Sequence, residues 1–174
     1  SNVHPDFPEG GVMSQKIDKL EKGDSFSFRG PNGRLEYMGD GVFNIKQLKS
    51  QGGEIIEKKV KNVGMIAGGT GITPMIQIIR AVLRNENDPT KLSLLFANKE
   101  ERDIILRDKL ENPDRDFSDR FEVHYTIDKA EDGWSGFTGF IDEEMIRKTM
   151  PEPSDDTLIL LCGPPKMNSE AVKP

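Results

Sequence analysis

The sequence predicts an α/β protein built on a parallel nucleotide-binding sheet flanked by helices, and three observations carry that expectation. Short runs rich in apolar and β-branched residues recur at 60–67, 92–97, 121–127 and 157–162, each of a length that suits a strand. Segments of helical spacing separate them, which implies crossovers and parallel pairing. The residues with most chemical character gather where these strands end: Gly68 to Thr73, Ala97 and Asn98, Asp128, and Cys162 to Pro165. In parallel α/β sheets ligands bind outside the carboxyl ends of the strands.

The first of these strands carries the strongest local signal. Residues 60–67 run into Gly68, Gly69 and Gly71, then Thr73 and Pro74, and 75–84 continue with apolar residues at helical spacing. Glycine allows a sharp turn and a close approach of backbone to a ligand. Thr73 reads as the N-cap and Pro74 as the first helical residue, where a missing N–H costs nothing. Strand, glycine turn and helix start together make an anion site. The lysine and Ser/Thr of a P-loop are absent, which argues against Mg–nucleoside triphosphate chemistry. Pro74 stands where the third glycine of a G-x-G-x-x-G fingerprint belongs. On spacing alone, a turn that holds a pyrophosphate and a plain structural turn both stand.

Composition removes several classes. Hydrophobic residues make up 34% and charged residues 31% of 174 positions, and no apolar run approaches the ~20 residues of a membrane helix. No signal peptide or basic transit segment opens the chain. The single cysteine, Cys162, excludes an internal disulfide and fits a reducing compartment. A net charge of -6 and a pI near 5.1 argue against nucleic acid as partner. Two histidines and one cysteine, far apart, give no metal site. The ends are abrupt, extended around His4-Pro5 and helical at the other terminus, so the chain reads as an excised piece of a longer protein.

Taken in order, 4–11 is an irregular entry, and 12–22 reads as a helix with Met13, Ile17 and Leu20 on one face and Gly23 as its stop. Gly10-Gly11 reads either as a hinge or, through the free N–H groups of Met13 and Ser14, as a phosphate site. Residues 25–28 alternate as a strand, 30–33 form a turn, and 35–37 read as the returning strand of an antiparallel unit too small to stand alone. Residues 39–59 are polar and glycine-dotted. They read first as a solvated linker between domains. The second reading is a positive patch for an acidic partner protein, since Lys46, Lys49, Lys58, Lys59 and nearby Lys61 outnumber Glu54 and Glu57. The domain boundary falls at 58/59. Beyond it, 103–110 and 142–149 read as helices, Pro151 ends the second, and Gly163-Pro-Pro165 turns into a last helix.

Each candidate residue has a plain reading beside the functional one. Asp128 either starts a turn or accepts from ribose hydroxyls and repels a 2′-phosphate, which favours NADH over NADPH. Cys162 is either a small buried hydrophobe or a ligand-facing thiol, with nothing to mark it as a nucleophile. Trp134 and Phe140 either pack or cap a flat ring. His124 reads as structural, and Glu100 to Asp103 as a solvated helix start.

Several stretches together resemble one family. Gly11-Val-Met-Ser14, Gly64 to Met75, Leu95-Phe-Ala-Asn98, Tyr125-Thr-Ile-Asp128, Gly139-Phe140 and Cys162-Gly-Pro-Pro165 with Met167 are similar to NADH–cytochrome b5 reductases, of the ferredoxin–NADP reductase group of flavoproteins. The resemblance covers almost the whole chain. It implies that 1–58 is the C-terminal part of an antiparallel FAD-binding β-barrel with a linker, and that 59–174 is an NADH-binding α/β domain without its last strand. Gly11, Val12, Met13 and Ser14 would then hold the FAD pyrophosphate, and Thr73 would approach the flavin. Gly69, Thr70 and Gly71 would line the NADH cleft, Asp128 would select NADH, and Phe140 would border the adenosine. Cys162 and Gly163 would sit at the nicotinamide, with Pro164, Pro165 and Met167 behind it, making Cys162 and Thr73 the catalytic positions.

The implied reaction is hydride transfer from NADH to FAD, then single electrons to cytochrome b5 or a similar acidic haem protein. The implied setting is the cytosolic face of the endoplasmic reticulum or outer mitochondrial membrane, or the cytoplasm, with any membrane segment outside this chain. The reductase part of a larger enzyme such as nitrate reductase, and a non-catalytic NADH-binding module, are the alternatives. Besides the missing last strand with its aromatic C-terminus, the sequence departs from the family in three places. The Arg-x-Tyr-Ser/Thr stretch that grips the flavin precedes residue 1, Val12 replaces a frequent lysine, and Lys166 replaces a usual proline. The expectation is therefore that this piece holds FAD weakly or not at all.

Overall fold

The computed structural model describes residues 8, 10–30, 32–111 and 119–171. They belong to two compact units, Ser1–Asn32 and Gly33–Pro174.

In the first unit one helix forms, α1 (Val12–Asp18). It is shorter than the predicted 12–22, ending where Lys19 takes the cap. Met13, Ile17 and Leu20 are 60%, 50% and 39% exposed, so the predicted apolar face exists but gains no burial, and seven residues without burial make a marginal helix. The predicted strand at 25–28 does not form. Its expected partner, 35–37, pairs elsewhere, and Phe26 and Phe28 instead hold their rings 4.9 Å apart.

In the second unit, β1 (Leu35–Gly39), β2 (Val42–Lys46) and β3 (Ile55–Lys59) form an antiparallel sheet in the order β1-β2-β3. The predicted linker at 39–59 is thus a meander. Asp40 and Gly41 make its first turn at φ 50° and 76°, the left-handed pair that an Asp-Gly hairpin uses. Alanine at position 41 would place its Cβ 2.0 Å from the Val60 carbonyl oxygen. Only glycine lets the hairpin press against the strand entry. Phe43 is fully buried in the main core, with Leu35, Tyr37 and Ile45 packed around it.

The second sheet is parallel: β4 (Asn62–Gly68), β5 (Lys91–Asn98), β6 (Phe121–Ile127), a two-residue β7 (Phe137–Thr138) and β8 (Thr157–Cys162). Its order is β7-β6-β5-β4-β8. β4 has neighbours on both sides and both faces covered, so Val63 to Gly68 is buried throughout, as a parallel interior strand requires. Between β4 and β5 runs α2 (Ile72–Arg84), which buries Ile72, Met75, Ile76, Ile79, Val82 and Leu83 and leaves Arg80 and Arg84 outside. That i, i+3, i+4, i+7 stripe seats the helix on the sheet. Each such side chain contributes about 1.5–3 kcal/mol on burial.

The predicted helix at 103–110 breaks into a 3₁₀ turn, Glu101–Asp103, and a single turn, α3 (Arg107–Leu110), because Leu106 adopts φ 61° between them. The last two helices are α4 (Glu143–Thr149) and α5 (Pro165–Ala171). Asp142 is the N-cap of α4, its carboxylate accepting from Met145 N at 2.8 Å.

A buried carboxylate ties the two sheets. Asp88, in the turn between α2 and β5, is 1% exposed. It accepts from Thr90 Oγ1 (2.6 Å), Thr90 N (3.0 Å), Asp40 N (3.2 Å) and the Tyr37 hydroxyl. Burial alone would raise its pKa, but these donors outweigh burial and hold it below the usual carboxylate value. Tyr37 is raised, first by burial and then by its bond to Asp88.

Candidate functional site

The strand order reverses at β4. From β4 the chain steps to β5, β6 and β7 on one side and later returns to β8 on the other. A crevice opens outside the carboxyl ends at such a point. Here those ends are Gly68 and Cys162, since Ala67 and Cys162 are register partners.

The two loops leaving these strands are pressed together, and glycines make that possible. A Cβ on Gly71 would lie 2.0 Å from the Cys162 carbonyl oxygen. One on Gly68 would lie 2.8 Å from Met167 Sδ and from Pro164 Cδ, and one on Gly163 2.3 Å from Met167 Cε. Gly69, at φ 52°, has nothing within 4 Å of its would-be Cβ. The turn Gly69–Gly71 therefore has a packed side, built by Cys162 to Met167, and an open side. α2 begins at Ile72 with no side-chain cap, and the Ile72 N–H already donates to Gly69 O and Thr70 O, so it is the open side of the Gly69–Gly71 turn that remains for an acceptor. These features fit a diphosphate held by backbone.

Thr73 departs from its predicted part. Gly71 is the N-cap and Thr73 the second helical residue. Its hydroxyl donates back to Thr70 O at 3.0 Å and so buttresses the turn. The residue is exposed at the head of α2.

The other strand ends complete the rim. Asp128 follows β6 and is exposed, with its N–H donated to Asn98 O at 3.2 Å. Its carboxylate has no hydrogen-bond or ion-pair partner among the described residues. Phe140 follows β7 and is 76% exposed, with Lys166 Nζ 5.4 Å from its ring centroid. Gly139 is fixed just before it, N–H to Ile127 O at 2.9 Å and carbonyl accepting from Thr126 Oγ1 at 2.7 Å. Asn168 Nδ2 donates to Gly163 O at 3.1 Å, holding the loop that contains Pro164 and Pro165.

Two residues have no role assigned from the sequence, Asn98, which is named there only as a strand end, and Asn168. Asn98 ends β5, is 8% exposed, and its carboxamide has no hydrogen-bond partner. Its strand-end position was the available signal. Asn168 had none, because its role depends on the loop it reaches.

Trp134 is not at this rim. Its indole N–H donates to Phe137 O at 2.8 Å. It lines a cavity of about 430 Å³ at the open edge of β6 with Arg107, Glu111, Tyr125 and Phe137. Arg107 lies 5.7 Å from the Tyr125 ring and 5.9 Å from that of Trp134, and burial, then the Glu111 carboxylate, raises the Tyr125 hydroxyl pKa.

In the first unit, α1 has Gly11 as N-cap with no side-chain cap, and Val12 and Met13 are exposed. Gly11 to Ser14 thus present uncapped backbone, which fits a phosphate. No group of acidic, histidine or cysteine side chains among the described residues could hold a metal, and no described helix is long and apolar enough to cross a membrane.

A parallel sheet with an open glycine turn at its switch point and an acidic residue beyond a neighbouring strand defines a dinucleotide-binding α/β domain. Comparison with known proteins agrees. Residues 65–173 match the oxidoreductase NAD-binding domain family, and the chain belongs to that family. Residues 3–37 match the oxidoreductase FAD-binding domain.

The motif-based resemblance is borne out by individual relatives. The chain is 52% identical to NADH-cytochrome b5 reductase 3 of Rattus norvegicus, over 99% of this chain and 57% of that protein. It is 51% identical to NADH-cytochrome b5 reductase 1 of Homo sapiens, over 99% of this chain and 56% of that one. The cytochrome b5 reductase domain of Ulva prolifera nitrate reductase superposes with a TM-score of 0.83 at 42% identity, over 97% of this chain and 62% of that one. The chain thus spans a little over half the length of these curated relatives.

Proposed function

We propose that this chain is the dinucleotide-binding part of an FAD-dependent oxidoreductase. The enzyme takes hydride from NADH and passes single electrons to cytochrome b5 or a similar acidic haem protein. The observation that carries the reading is the glycine turn Gly69–Gly71, open on one side and packed by Cys162 to Met167 on the other. FAD, when bound, supplies the hydride acceptor that can release electrons singly.

The residues of this chain contribute position and exclusion. Gly69, Thr70 and Gly71 hold the NADH diphosphate through backbone N–H groups. Asp128 accepts from the adenosine ribose and repels a 2′-phosphate, and Phe140 borders the adenosine. Cys162 and Gly163 border the nicotinamide, with Pro164, Pro165 and Met167 as the wall behind. Thr73 faces the flavin side of the turn, and Gly11 to Ser14 hold the FAD pyrophosphate. We assign 1–58 to the flavin side and linker and 59–174 to the NADH domain. The β1–β3 meander is then the linker that docks on the latter. Lys46, Lys49 and Lys59 are exposed on or beside that meander and suit an acidic partner. We assign the parent enzyme to the cytosolic face of the endoplasmic reticulum or outer mitochondrial membrane, or to the cytoplasm.

Asp128→Ala tests the assignment in the full-length protein supplied with FAD, by NADH- and NADPH-dependent ferricyanide reduction. Loss of one charge-assisted bond and one repulsion should change the NADH/NADPH ratio of kcat/KM by about tenfold or more, or about 1.4 kcal/mol. An unchanged ratio removes Asp128 from the site. Absence of turnover in the unaltered protein, with NADH still bound, replaces the enzyme by a binding module. A second reading, the reductase portion of a nitrate reductase, is favoured by the superposition on the Ulva domain. Haem and molybdenum-cofactor domains encoded in the same chain would decide for it.

A further inference from the structure

The strand order β7-β6-β5-β4-β8 puts β7 and β8 at opposite edges of the sheet with three strands between them. At about 4.8 Å per strand the two edges are separated by roughly 19 Å. Phe140 follows β7 and Lys166 follows β8, yet the ammonium of Lys166 lies 5.4 Å from the Phe140 ring centroid. This contact must therefore pass over the carboxyl ends of the intervening strands, where Gly68–Gly71, Asn98 and Asp128 lie.

The contact is weakly held. Phe140 is 76% exposed, Lys166 is exposed, and among the described residues the ammonium has no carboxylate or carbonyl partner. An exposed cation on an exposed ring is one of the weaker polar contacts. Lys166 is also adjacent to Met167, whose sulfur packs 2.8 Å from the position of a Cβ on Gly68. One residue thus borders the glycine turn through its neighbour and the adenosine side through its own side chain.

We propose that Lys166 is a diphosphate-binding residue of the dinucleotide cleft. Its ammonium exchanges the Phe140 ring for the two negative charges of the incoming diphosphate, strapping the ligand against the turn Gly69–Gly71. A singly placed cation suits this role, because an ammonium acts on phosphate as a point charge and its flexible stem can swing between partners. The inference rests on the NADH-cleft reading above.

The test is binding, followed by NMR chemical-shift titration with ADP-ribose and with adenosine as probes. Both carry the adenosine, and only ADP-ribose carries the diphosphate. Lys166→Met should weaken ADP-ribose by about three- to tenfold, the range for one partly exposed charged contact, and leave adenosine unchanged. Lys166→Arg should bind both as the unaltered chain does. The loss in Lys166→Met should shrink as salt rises from about 0.05 to 0.5 M, because screening weakens the pair. Equal ADP-ribose affinity in the unaltered chain and Lys166→Met overturns the proposal while leaving the cleft intact. A parallel loss for adenosine overturns it too, since that makes the side chain a packing element. No ADP-ribose binding by the unaltered chain removes the cleft reading and this inference together.

Discussion

Replacing Gly71 by alanine probes the contact on which the cleft is built. Gly71 sits at φ -61° and ψ -11°, a helical conformation in which alanine is favoured over glycine by about 1 kcal/mol. Local propensity therefore expects stabilisation. Tertiary structure expects the opposite, because the new Cβ would lie 2.0 Å from the Cys162 oxygen, 2.6 Å from its carbonyl carbon and 3.1 Å from Gly163 N. All three atoms are backbone, so no rotamer change relieves the clash. Neither side yields easily: Ile72 beside Gly71 is fully buried, and Cys162 is in register with Ala67.

Overpacking in a fixed site costs about 1–3 kcal/mol, and the rigidity here points to the upper part of that range. The net expectation is a loss of about 2 kcal/mol, or about 4–8 °C in Tm for a chain of this size. Gly69→Ala is the control. Its φ of 52° costs alanine about 1–2 kcal/mol, but its Cβ meets nothing. Urea unfolding gives the stability, and ADP-ribose titration reports the turn. Gly71→Ala should lose both stability and affinity, since the turn has to move off Cys162. A Gly71→Ala protein as stable as the unaltered one, with ADP-ribose binding intact, would refute the argument that these backbones are locked.

Four further outcomes follow from the same structure. Tyr37→Phe removes one donor from buried Asp88 and should cost about 1–3 kcal/mol by urea unfolding. The Asp88 contribution also has a definite pH window. Its folded pKa is depressed, so the stability it adds is fully present above the unfolded carboxylate value, about 3.9, and is lost as pH falls through the lower folded value. The gap between the unaltered chain and Asp88→Asn should then be flat at neutral pH and narrow only below about pH 4. Tyr37, raised above 10.0, stabilises below that value and loses its contribution as pH climbs through the raised one, so the alkaline loss should be smaller in Tyr37→Phe, the share of Tyr125 remaining. Asp142→Ala deletes the cap on Met145 N and should cost about 1 kcal/mol, read by the same unfolding curves.

Much of the nucleotide domain was legible because its signals are local. The strand at 121–127 and that at 157–162 were found at their observed bounds, since short β-branched and aromatic runs delimited by turn residues are a local signal. Gly68, Gly69 and Gly71 announced a turn for the same reason. The antiparallel sheet was misread, although Asp40-Gly41 is a hairpin signal. Polar, lysine-rich strands such as β3 look like linker until a partner strand supplies their hydrogen bonds. Thr73 was placed as a cap because Ser/Thr before proline usually is one. Contact with β8 instead lets Gly71 start the helix early.

The alternation of strands and helices, the glycine turn and the family are readable from the residues, because apolar period, backbone permissiveness and motif order are properties of the chain alone. The folded arrangement alone reveals that β8 returns beside β4, that Gly71 is glycine for the sake of the Cys162 carbonyl, and that Lys166 meets Phe140 across the strand ends. Those contacts join residues 26 to 95 positions apart. Their distances are set by strand order and packing, which no local pattern encodes.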